Sequence, residues 1–364
     1  MTRLFDPIQI GSLTLKNRIV MAPLTRNRAL PGEVPGPLTV EYYRQRATAG
    51  LIISEGAQIS PTAQGYLHTP GIFNSEQIAA WKKVTDAVHQ EGGHLFVQLW
   101  HVGRISHVSL LPQGQSPVSS TDRAANGMTY TQEGFVPVSV PRRLRDDELP
   151  GVVEDYRHAA ECALEAGFDG VEIHAANTYL IEQFLRDSVN DREGPYGGSI
   201  PNRARLLLEI TERVGTAIGH DRVGVRLSPM TSFNGTAPDS DPQSLYGYVV
   251  EQLSESPLAY LHVIEGETGG DRHPKDLKPF DYEALHRLSS RRWMVNNGYD
   301  RALAMASVES GRADLVAFGR PFIANPDLVK RLSENLPLNE VQYDKLYGGG
   351  AEGYTDYPFF GAPA

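Results

Sequence analysis

The sequence predicts an α/β protein whose chain forms a single (β/α)8 TIM barrel. Eight short runs of apolar, often β-branched residues recur along the 364 residues. Stretches with helical periodicity follow most of these runs, as expected for strands that alternate with helices in a parallel sheet. A chain of this length accommodates a barrel, which typically uses about 250 residues. We therefore predict one domain over residues 1–364, because eight such units fit a closed barrel better than an open sheet.

The predicted elements follow one another regularly. The eight strands are the apolar runs at 17–22, 50–55, 94–99, 169–173, 222–227, 258–263, 292–296 and 313–318. Helical periodicity begins at Ser75, Asp147 and Ile200. The first dozen residues and the last twenty or so lie outside the repeat, and we expect them to close the ends of the barrel.

One insertion interrupts the repeat after the third strand. Residues 106–143 are rich in serine, proline and glycine and contain the stretch TYTQEGFVPVSVP, in which apolar and polar residues alternate. This period of two is typical of a β-hairpin rather than a helix. We predict that the insertion is a lid over one end of the barrel.

Composition and charge exclude several classes of function. The 34 basic and 44 acidic residues give a formal net charge of −10, which repels phosphate backbones and anionic membrane surfaces. The chain has no uninterrupted apolar run of about 18 residues and no signal-peptide pattern at its start. Its one cysteine, Cys162, lies in an apolar helical run and suits a reducing compartment. We expect a soluble cytoplasmic protein with neither a nucleic-acid nor a membrane partner.

The residues just after the strands indicate the chemistry, since active sites of such barrels lie at the carboxyl ends of the strands. Gly298 and Gly319 follow the seventh and eighth strands, and Arg320 comes next. Glycine lets backbone N–H groups approach an anion, and a guanidinium can pair with it. These residues predict a phosphate site and thus a phosphorylated cofactor. Thr25, Gln98 and Arg226 supply donors suited to a flat heteroaromatic ring.

The fourth strand carries the strongest signal. His174 and Asn177 stand three residues apart in VEIHAANTYLIEQFL, and Tyr179 follows at the start of a helical stretch. Two neutral donors can stabilise one oxygen that gains negative charge, and a nearby phenol can donate a proton. This cluster predicts a catalytic site.

The chain resembles the Old Yellow Enzyme family of FMN-dependent ene-reductases, in particular its bacterial nitrate-ester, morphinone and xenobiotic reductase branch. The matching strings run through almost the whole chain in order: NRIVMAPLTRNRA, YYRQRATAGLIISEGAQISPTAQGY, QLWHVGRISH, HAANTYLIEQFL, YGGSIPNRAR, VGVRLSP, AFGRPFIANPDL and GYTDYP. The resemblance implies an FMN-binding (β/α)8 barrel that takes hydride from NADPH or NADH.

The resemblance implies a role for each matching position. Its cofactor contacts are Pro23 and Ala57 on the ring or ribityl chain, Thr25 at the flavin O4, Gln98 at the pyrimidine edge, Arg226 beside N1 and O2, and Asn297, Gly298, Gly319 and Arg320 around the phosphate. Its substrate contacts are His174 and Asn177 on the carbonyl or nitro oxygen, Tyr179 as proton donor, and Tyr66, Trp100 and Tyr347 as pocket walls.

The implied reaction is a ping-pong hydride transfer to the activated C=C bond of an enone or nitroalkene. Nitrate esters and nitroaromatics are further acceptors that the branch implies, and the chain is expected to be a monomer or a homodimer. The sequence departs from many relatives at Thr178, where they have glycine. A β-branched residue there restricts the backbone before Tyr179, so we expect it to affect substrate range more than cofactor binding.

The sequence also allows other interpretations. One is a metal-dependent barrel hydrolase that uses His101, His174 and His262, although carboxylate ligands are scarce at the strand ends. Another is a barrel that binds flavin without turnover. A longer relative, the dienoyl-CoA type of reductase with an iron–sulfur cluster, is excluded because such a cluster is bound by several cysteines and this chain has one. GGGAEG at 348–353 matches G-x-G-x-x-G but follows no strand and opens no helix, so we do not interpret it as a dinucleotide site.

Overall fold

The fold is that of a closed parallel barrel, seen in a computed structural model that describes residues 3–273 and 279–362. The predicted range 1–364 therefore includes residues 1, 2, 274–278, 363 and 364, which lie outside the described residues. The barrel strands, called first to eighth in chain order, are Ile19–Met21, Leu51–Gln58, Leu95–Trp100, Gly170–Ala175, Val223–Leu227, Tyr260–Ile264, Trp293–Asn296 and Leu315–Phe318. Each strand pairs in parallel with its neighbour, and the eighth pairs with the first. The predicted fold class and all eight strands are confirmed.

Ten helices are present in the described part of the chain. They are Pro37–Gln45, Ser75–Gln90, Leu149–Glu165, Leu180–Leu185, Ile200–Ile218, Pro242–Glu255, Tyr282–Arg287, Arg301–Glu309, Arg320–Ala324 and Leu328–Glu334. The helices predicted from Ser75 and Ile200 begin at those residues. The one predicted from Asp147 begins at Leu149, because a 3₁₀ turn over Asp146–Glu148 precedes it.

The barrel is filled at its amino-terminal end by apolar side chains. A two-stranded hairpin, Ile8–Ile10 with Leu13–Leu15, packs against inward-facing residues at the starts of the strands. Phe96 and Tyr260 are the largest of these residues, and their rings lie 5.9 Å apart. Burying such side chains contributes about 1.5–3 kcal/mol each. The amino-terminal end therefore serves stability, which leaves the carboxyl ends of the strands for the site.

The insertion after the third strand contains the hairpin that its alternating pattern predicted. Met128–Thr131 pairs antiparallel with Gly134–Pro137. Two shorter strands, Val118–Ser119 and Arg142–Arg143, pair in parallel. This pairing joins the chain on the two sides of the hairpin.

None of the helices within residues 3–273 and 279–362 has the length and apolar character needed to cross a membrane.

Candidate active site

Two neighbouring cavities lie at the carboxyl ends of the barrel strands. The first, called the glycine cavity, has a volume of about 490 Å³ and is lined by Ala22, Pro23, Leu24, Asn177, Arg226, Thr268, Gly269, Gly270, Asn296, Asn297, Gly298, Tyr299, Asp300, Ala317, Phe318, Gly319, Arg320 and Pro321. The second, called the tyrosine cavity, has a volume of about 420 Å³ and is lined by Thr25, Asn27, Tyr66, Met128, Tyr130, Phe135, Tyr179, Phe233, Tyr343, Asp344 and Tyr347. The segments 23–25 and 177–179 each contribute to both cavities, so they separate the two.

Loops after the last three strands build the glycine cavity. Asn297 and Gly298 have φ values of 98° and 65°, a left-handed conformation that suits glycine. The Arg320 guanidinium reaches across to the Gly269 carbonyl and donates a hydrogen bond to it. The predicted phosphate residues are therefore together. Sequence reasoning missed Thr268, Gly269 and Gly270, although the glycine pair after the sixth strand was a usable signal.

Arg226 lies buried at the floor of the glycine cavity, with only 5% of its surface exposed. Its Nη2 donates to Asn296 Oδ1 over 2.9 Å, whereas its buried Nε has no partner among the described residues. Burial lowers the pKa of Arg226, and Glu172 opposes that effect. A buried guanidinium with an unsatisfied donor fits the acceptor edge of a flavin ring.

Glu172, which sequence reasoning missed, links several groups beneath this site. Its Oε1 accepts from Gln98 Nε2 and its Oε2 lies at His262 Nδ1, each at 2.8 Å. Burial raises the pKa of Glu172, but His262 and Arg226 lower it by more, so the net shift is downward. Because the Gln98 nitrogen is engaged, its side-chain carbonyl is the group left to accept a hydrogen bond. Gln98 lines neither cavity.

His174 lies between two aromatic rings rather than lining a cavity, stacked on Trp100 and edge-on to Tyr179. Its ring centroid lies 6.3 Å from that of Trp100 and 5.1 Å from that of Tyr179. Burial lowers the pKa of His174 well below its ordinary value, and Arg226 and His262 lower it further. The imidazole is therefore neutral at physiological pH. Its Nδ1 has no hydrogen-bond partner within the described part of the chain.

Asn177 and Thr178 form a strained turn between the fourth strand and the next helix. Both are left-handed, with φ values of 57° and 64°. For a β-branched residue such a conformation is rare and costs about 1–3 kcal/mol. The Asn177 Oδ1 accepts from the Thr268 hydroxyl over 2.6 Å. This contact leaves the Asn177 amide nitrogen as the group that can donate to a ligand.

The phenol of Tyr179 faces the tyrosine cavity. Its hydroxyl lies 3.3 Å from that of Tyr66, which stacks on Trp100 with a centroid distance of 5.7 Å. Burial raises the pKa of Tyr66 to about 12 and that of Tyr179 well above its ordinary value. Both phenols therefore keep their protons at neutral pH, as a proton donor must.

The carboxyl-terminal segment, residues 343–353, provides the outer wall of the tyrosine cavity. Its Tyr347 lines the cavity and is 62% exposed. Arg28 holds this segment by its backbone: its guanidinium donates to the carbonyls of Lys345, Leu346, Gly350 and Glu352. Arg26 donates to the carbonyls of Leu346 and Gly353. The G-x-G-x-x-G match at 348–353 therefore serves as a set of carbonyl acceptors.

Two further predicted residues lie outside both cavities. Trp100 contacts the site through Tyr66 and Tyr179, whose ring it meets edge-on at 5.0 Å. Ala57 is buried in the second strand opposite Leu99 and packs in the main apolar core. The structure thus gathers most of the predicted residues around the two cavities, whereas Ala57, Gln98, Trp100 and His174 line neither of them.

The alternative of a metal-dependent hydrolase is not supported. Among residues 3–273 and 279–362, no group of three His, Cys, Asp or Glu side chains is placed to hold a metal ion. His101 Nδ1 instead accepts from the Gly103 N–H over 3.0 Å. His262 is paired with Glu172 beneath the site.

Residues 3–339 match the model of the NADH:flavin oxidoreductase / NADH oxidase family. Among curated proteins, 12-oxophytodienoate reductase 7 from Oryza sativa subsp. japonica is 48% identical over 99% of this chain and 95% of its own length. 12-Oxophytodienoate reductase 1 from the same plant is 47% identical over 98% of this chain and 93% of its own length.

Two solved structures are also similar to this chain in fold and sequence. Morphinone reductase in complex with tetrahydroNAD superimposes with a TM-score of 0.93 and 46% identity, over 99% of this chain and 98% of that one. The Old Yellow Enzyme homologue from Zymomonas mobilis superimposes with a TM-score of 0.94 and 45% identity, over 98% of this chain and 99% of that one.

Proposed function

Because the chain belongs to the NADH:flavin oxidoreductase / NADH oxidase family, we propose that it is an FMN-dependent NAD(P)H oxidoreductase that reduces activated C=C bonds. Enones and nitroalkenes are the proposed acceptors, and nitrate esters and nitroaromatics are secondary ones. One observation carries this proposal: Asn177 and the protonated phenol of Tyr179 lie where the glycine cavity adjoins the tyrosine cavity, and the neutral imidazole of His174 packs against the Tyr179 ring. We propose one FMN-binding domain for the whole chain.

The glycine cavity is the proposed FMN site. Backbone N–H groups around Asn297, Gly298 and Gly319, with the Arg320 guanidinium, hold the phosphate. Arg226, which lines this cavity and has an unsatisfied Nε, would donate to the pyrimidine edge of the ring, and Gln98 would bind the same edge. Pro23 from this cavity, Thr25 from the adjoining one and Ala57 near the end of the second strand would contact the ring or its ribityl chain. Bound FMN, reduced by NADPH or NADH, supplies the hydride.

His174 and Asn177 are the proposed donors to the carbonyl or nitro oxygen of the acceptor. A neutral imidazole and a carboxamide can each donate a hydrogen bond, and neither adds a buried charge before the reaction begins. The contact of Asn177 Oδ1 with Thr268 fixes which end of the amide faces the substrate. Their role is to stabilise the negative charge that grows on that oxygen.

Tyr179 is the proposed donor of the proton to the carbon alpha to the activating group. Its raised pKa keeps the phenol protonated until the carbanion-like carbon forms. The hydroxyl of Tyr66, 3.3 Å away, can supply a replacement proton from the cavity side. Trp100 holds Tyr66 and Tyr179 in place through ring contacts.

The hairpin is the proposed lid, because its Met128, Tyr130 and Phe135 line the tyrosine cavity opposite Tyr179. With Tyr347 they form an apolar rim around the acceptor. We further propose a cytoplasmic location, NADPH or NADH as the donor, and a monomer or homodimer. A relative bound to tetrahydroNAD supports the nicotinamide donor.

The test is a visible spectrum of the purified protein, followed by anaerobic titration with NADPH and NADH and then by addition of 2-cyclohexen-1-one. We expect a yellow protein, bleaching by the nicotinamide, and return of colour with one equivalent of enone. A protein that neither carries nor takes up FMN contradicts the whole proposal. Bleaching without reoxidation by any enone or nitroalkene favours the flavin-binding barrel without this turnover.

A further inference from the structure

The turn that carries Asn177 and Thr178 is held by a buried carboxylate that touches neither cavity. Glu182 is fully buried, and its Oε2 accepts from the Thr178 N–H. Its Oε1 accepts from the Ser228 hydroxyl over 2.7 Å, and the Ser228 oxygen in turn accepts from the Asn177 N–H over 2.7 Å. One carboxylate therefore fixes both left-handed peptide groups, the first through a serine and the second directly.

The carboxylate does more than cap a helix. In a capping box, the third residue of a helix accepts from the backbone N–H of the N-cap residue. Here the N-cap is Tyr179, whose N–H bonds instead to the Ala176 carbonyl. Glu182 reaches past Tyr179 to the residue before it. Its contacts thus hold the turn rather than the helix end.

The charge of Glu182 is compensated within the same cluster. Arg186 Nη2 lies 3.0 Å from Oε1, and the Tyr246 hydroxyl donates to Oε1 over 2.7 Å. Arg186 also donates to the Ser228 carbonyl, so it fixes the serine that relays to Asn177. Four donors surround the two carboxylate oxygens, so the carboxylate itself is fully hydrogen-bonded and its position is rigid, whereas the Arg186 Nε has no partner among the described residues.

We propose that Glu182 is a positioning residue, which offsets the strain of Thr178 and so aims the Asn177 amide and the Tyr179 phenol at the acceptor. The proposal rests on the proposed function for the identity of the acceptor. It predicts a dependence between two residues: glycine at 178 would adopt the left-handed conformation without strain. The need for Glu182 should then be smaller.

The test is a double-mutant cycle of Glu182→Gln and Thr178→Gly in the FMN-loaded protein. Glutamine keeps the shape but replaces one acceptor oxygen with a donor, which conflicts with one of the four donors around it. The first readout is the rate constant of flavin reoxidation by 2-cyclohexen-1-one at saturation. We expect Glu182→Gln to lower it about 10-fold with Thr178 present, and by less than a third of that factor in the Thr178→Gly background.

Equal losses in the two backgrounds, or no loss with Thr178 present, overturn the proposal. The matched control is Glu209→Gln, which also removes a carboxylate bonded to a tyrosine hydroxyl, that of Tyr196, away from both cavities. It should leave the rate constant unchanged. Because Glu182→Gln can also prevent folding, Ser228→Ala is measured beside it. It removes only the relay to Asn177, and a wild-type rate in that variant also overturns the proposal.

A second readout is independent of turnover: the urea midpoint of the FMN-free protein across the same cycle. Glu182→Gln should lower the midpoint more with Thr178 than in the Thr178→Gly background. If the wild-type protein is not reoxidised by enones, the proposed function fails, and the midpoints then decide the positioning proposal alone. Equal shifts in both backgrounds overturn it.

Discussion

The two cavities are lined by different kinds of chemical group. Backbone of the loops after the sixth, seventh and eighth strands, with the two arginines Arg226 and Arg320, forms most of the glycine cavity. Aromatic side chains from separate segments form most of the tyrosine cavity, including the inserted hairpin and the carboxyl-terminal segment. The barrel itself thus provides the proposed cofactor site, whereas additions to the barrel provide most of the proposed acceptor site.

If the glycine cavity binds FMN and the tyrosine cavity binds the acceptor, substitutions at the first should weaken FMN binding and substitutions at the second should slow acceptor reduction. The largest effect is expected for His174→Ala, which removes one of the two proposed donors to the acceptor oxygen. We expect flavin reoxidation by 2-cyclohexen-1-one to slow by about 10²–10³-fold, with FMN content unchanged, because His174 is not among the residues that line the glycine cavity. Stopped-flow traces measure this, with His158→Ala as a control. If FMN is lost while the loaded fraction reacts normally, the division between the cavities is wrong.

Tyr179→Phe tests the proposed proton donor, whose phenol lines the tyrosine cavity. Loss of the proton donor should lower the reoxidation rate constant by about 10²-fold, with little change in the KM for enone. Tyr66→Phe is the matched control, since it leaves the Tyr179 phenol intact and should cost only about 5-fold. An unchanged rate in Tyr179→Phe removes the tyrosine from its proposed role.

Arg226→Gln probes the glycine cavity. A lost charge-assisted hydrogen bond amounts to about 1.5–3 kcal/mol, which corresponds to roughly a 10–100-fold weaker affinity for FMN. Fluorescence titration of the FMN-free protein measures the dissociation constant. The surface variant Arg213→Gln, whose partner is Glu154, should bind FMN as the wild type does. The same dissociation constant for Arg226→Gln would mean that this guanidinium does not contact the ring.

Tyr347→Ala alters only the rim of the tyrosine cavity. Because this side chain is largely exposed, we expect a change in KM of a few-fold for bulky enones and none in the limiting rate. Steady-state kinetics with a small and a bulky enone separates the two effects. A fall in the limiting rate with the small enone would place Tyr347 in the chemistry rather than at the rim.

The smallest effect concerns pH. Burial lowers the pKa of His174 below its ordinary 6.5 and raises that of Tyr179 above its ordinary 10.0. The acid limb, where the imidazole gains a proton, thus lies below pH 6.5, and the alkaline limb lies above pH 10.0. We expect the reoxidation rate constant to vary less than about 2-fold between pH 6.5 and about pH 9. A midpoint inside that window would contradict the assigned protonation states.

The strands could be predicted because each is an apolar run buried on both faces, and the turn after the fourth could be found because His174, Asn177 and Tyr179 lie close together in sequence. Glu172 could not be found in this way. It lies inside a strand, four residues of which are apolar or glycine, and its partners are distant in sequence: Gln98 lies opposite it on the neighbouring third strand, and His262 lies on the sixth. Only the assembled sheet brings these three side chains together.

The role of Glu182 also depends on tertiary structure. In sequence it is one acidic residue in the first turn of a helix, where such residues are common. Its contact with Ser228 joins the fourth strand's turn to the loop after the fifth strand, and no local pattern encodes that contact. The burial of Ala57 in the core, outside both cavity linings, also depends on tertiary structure, because strand register sets the direction of its side chain.

The hydrogen bonds from Arg28 to the carboxyl-terminal segment have a consequence for the evolution of the substrate range. Its guanidinium binds carbonyl groups, which every amino acid possesses. The path of the segment is thus insensitive to which side chains it carries. Tyr343 and Tyr347 line the tyrosine cavity and could therefore be varied in a combinatorial library without moving the backbone that carries them. New acceptors can be selected in this way without loss of the scaffold.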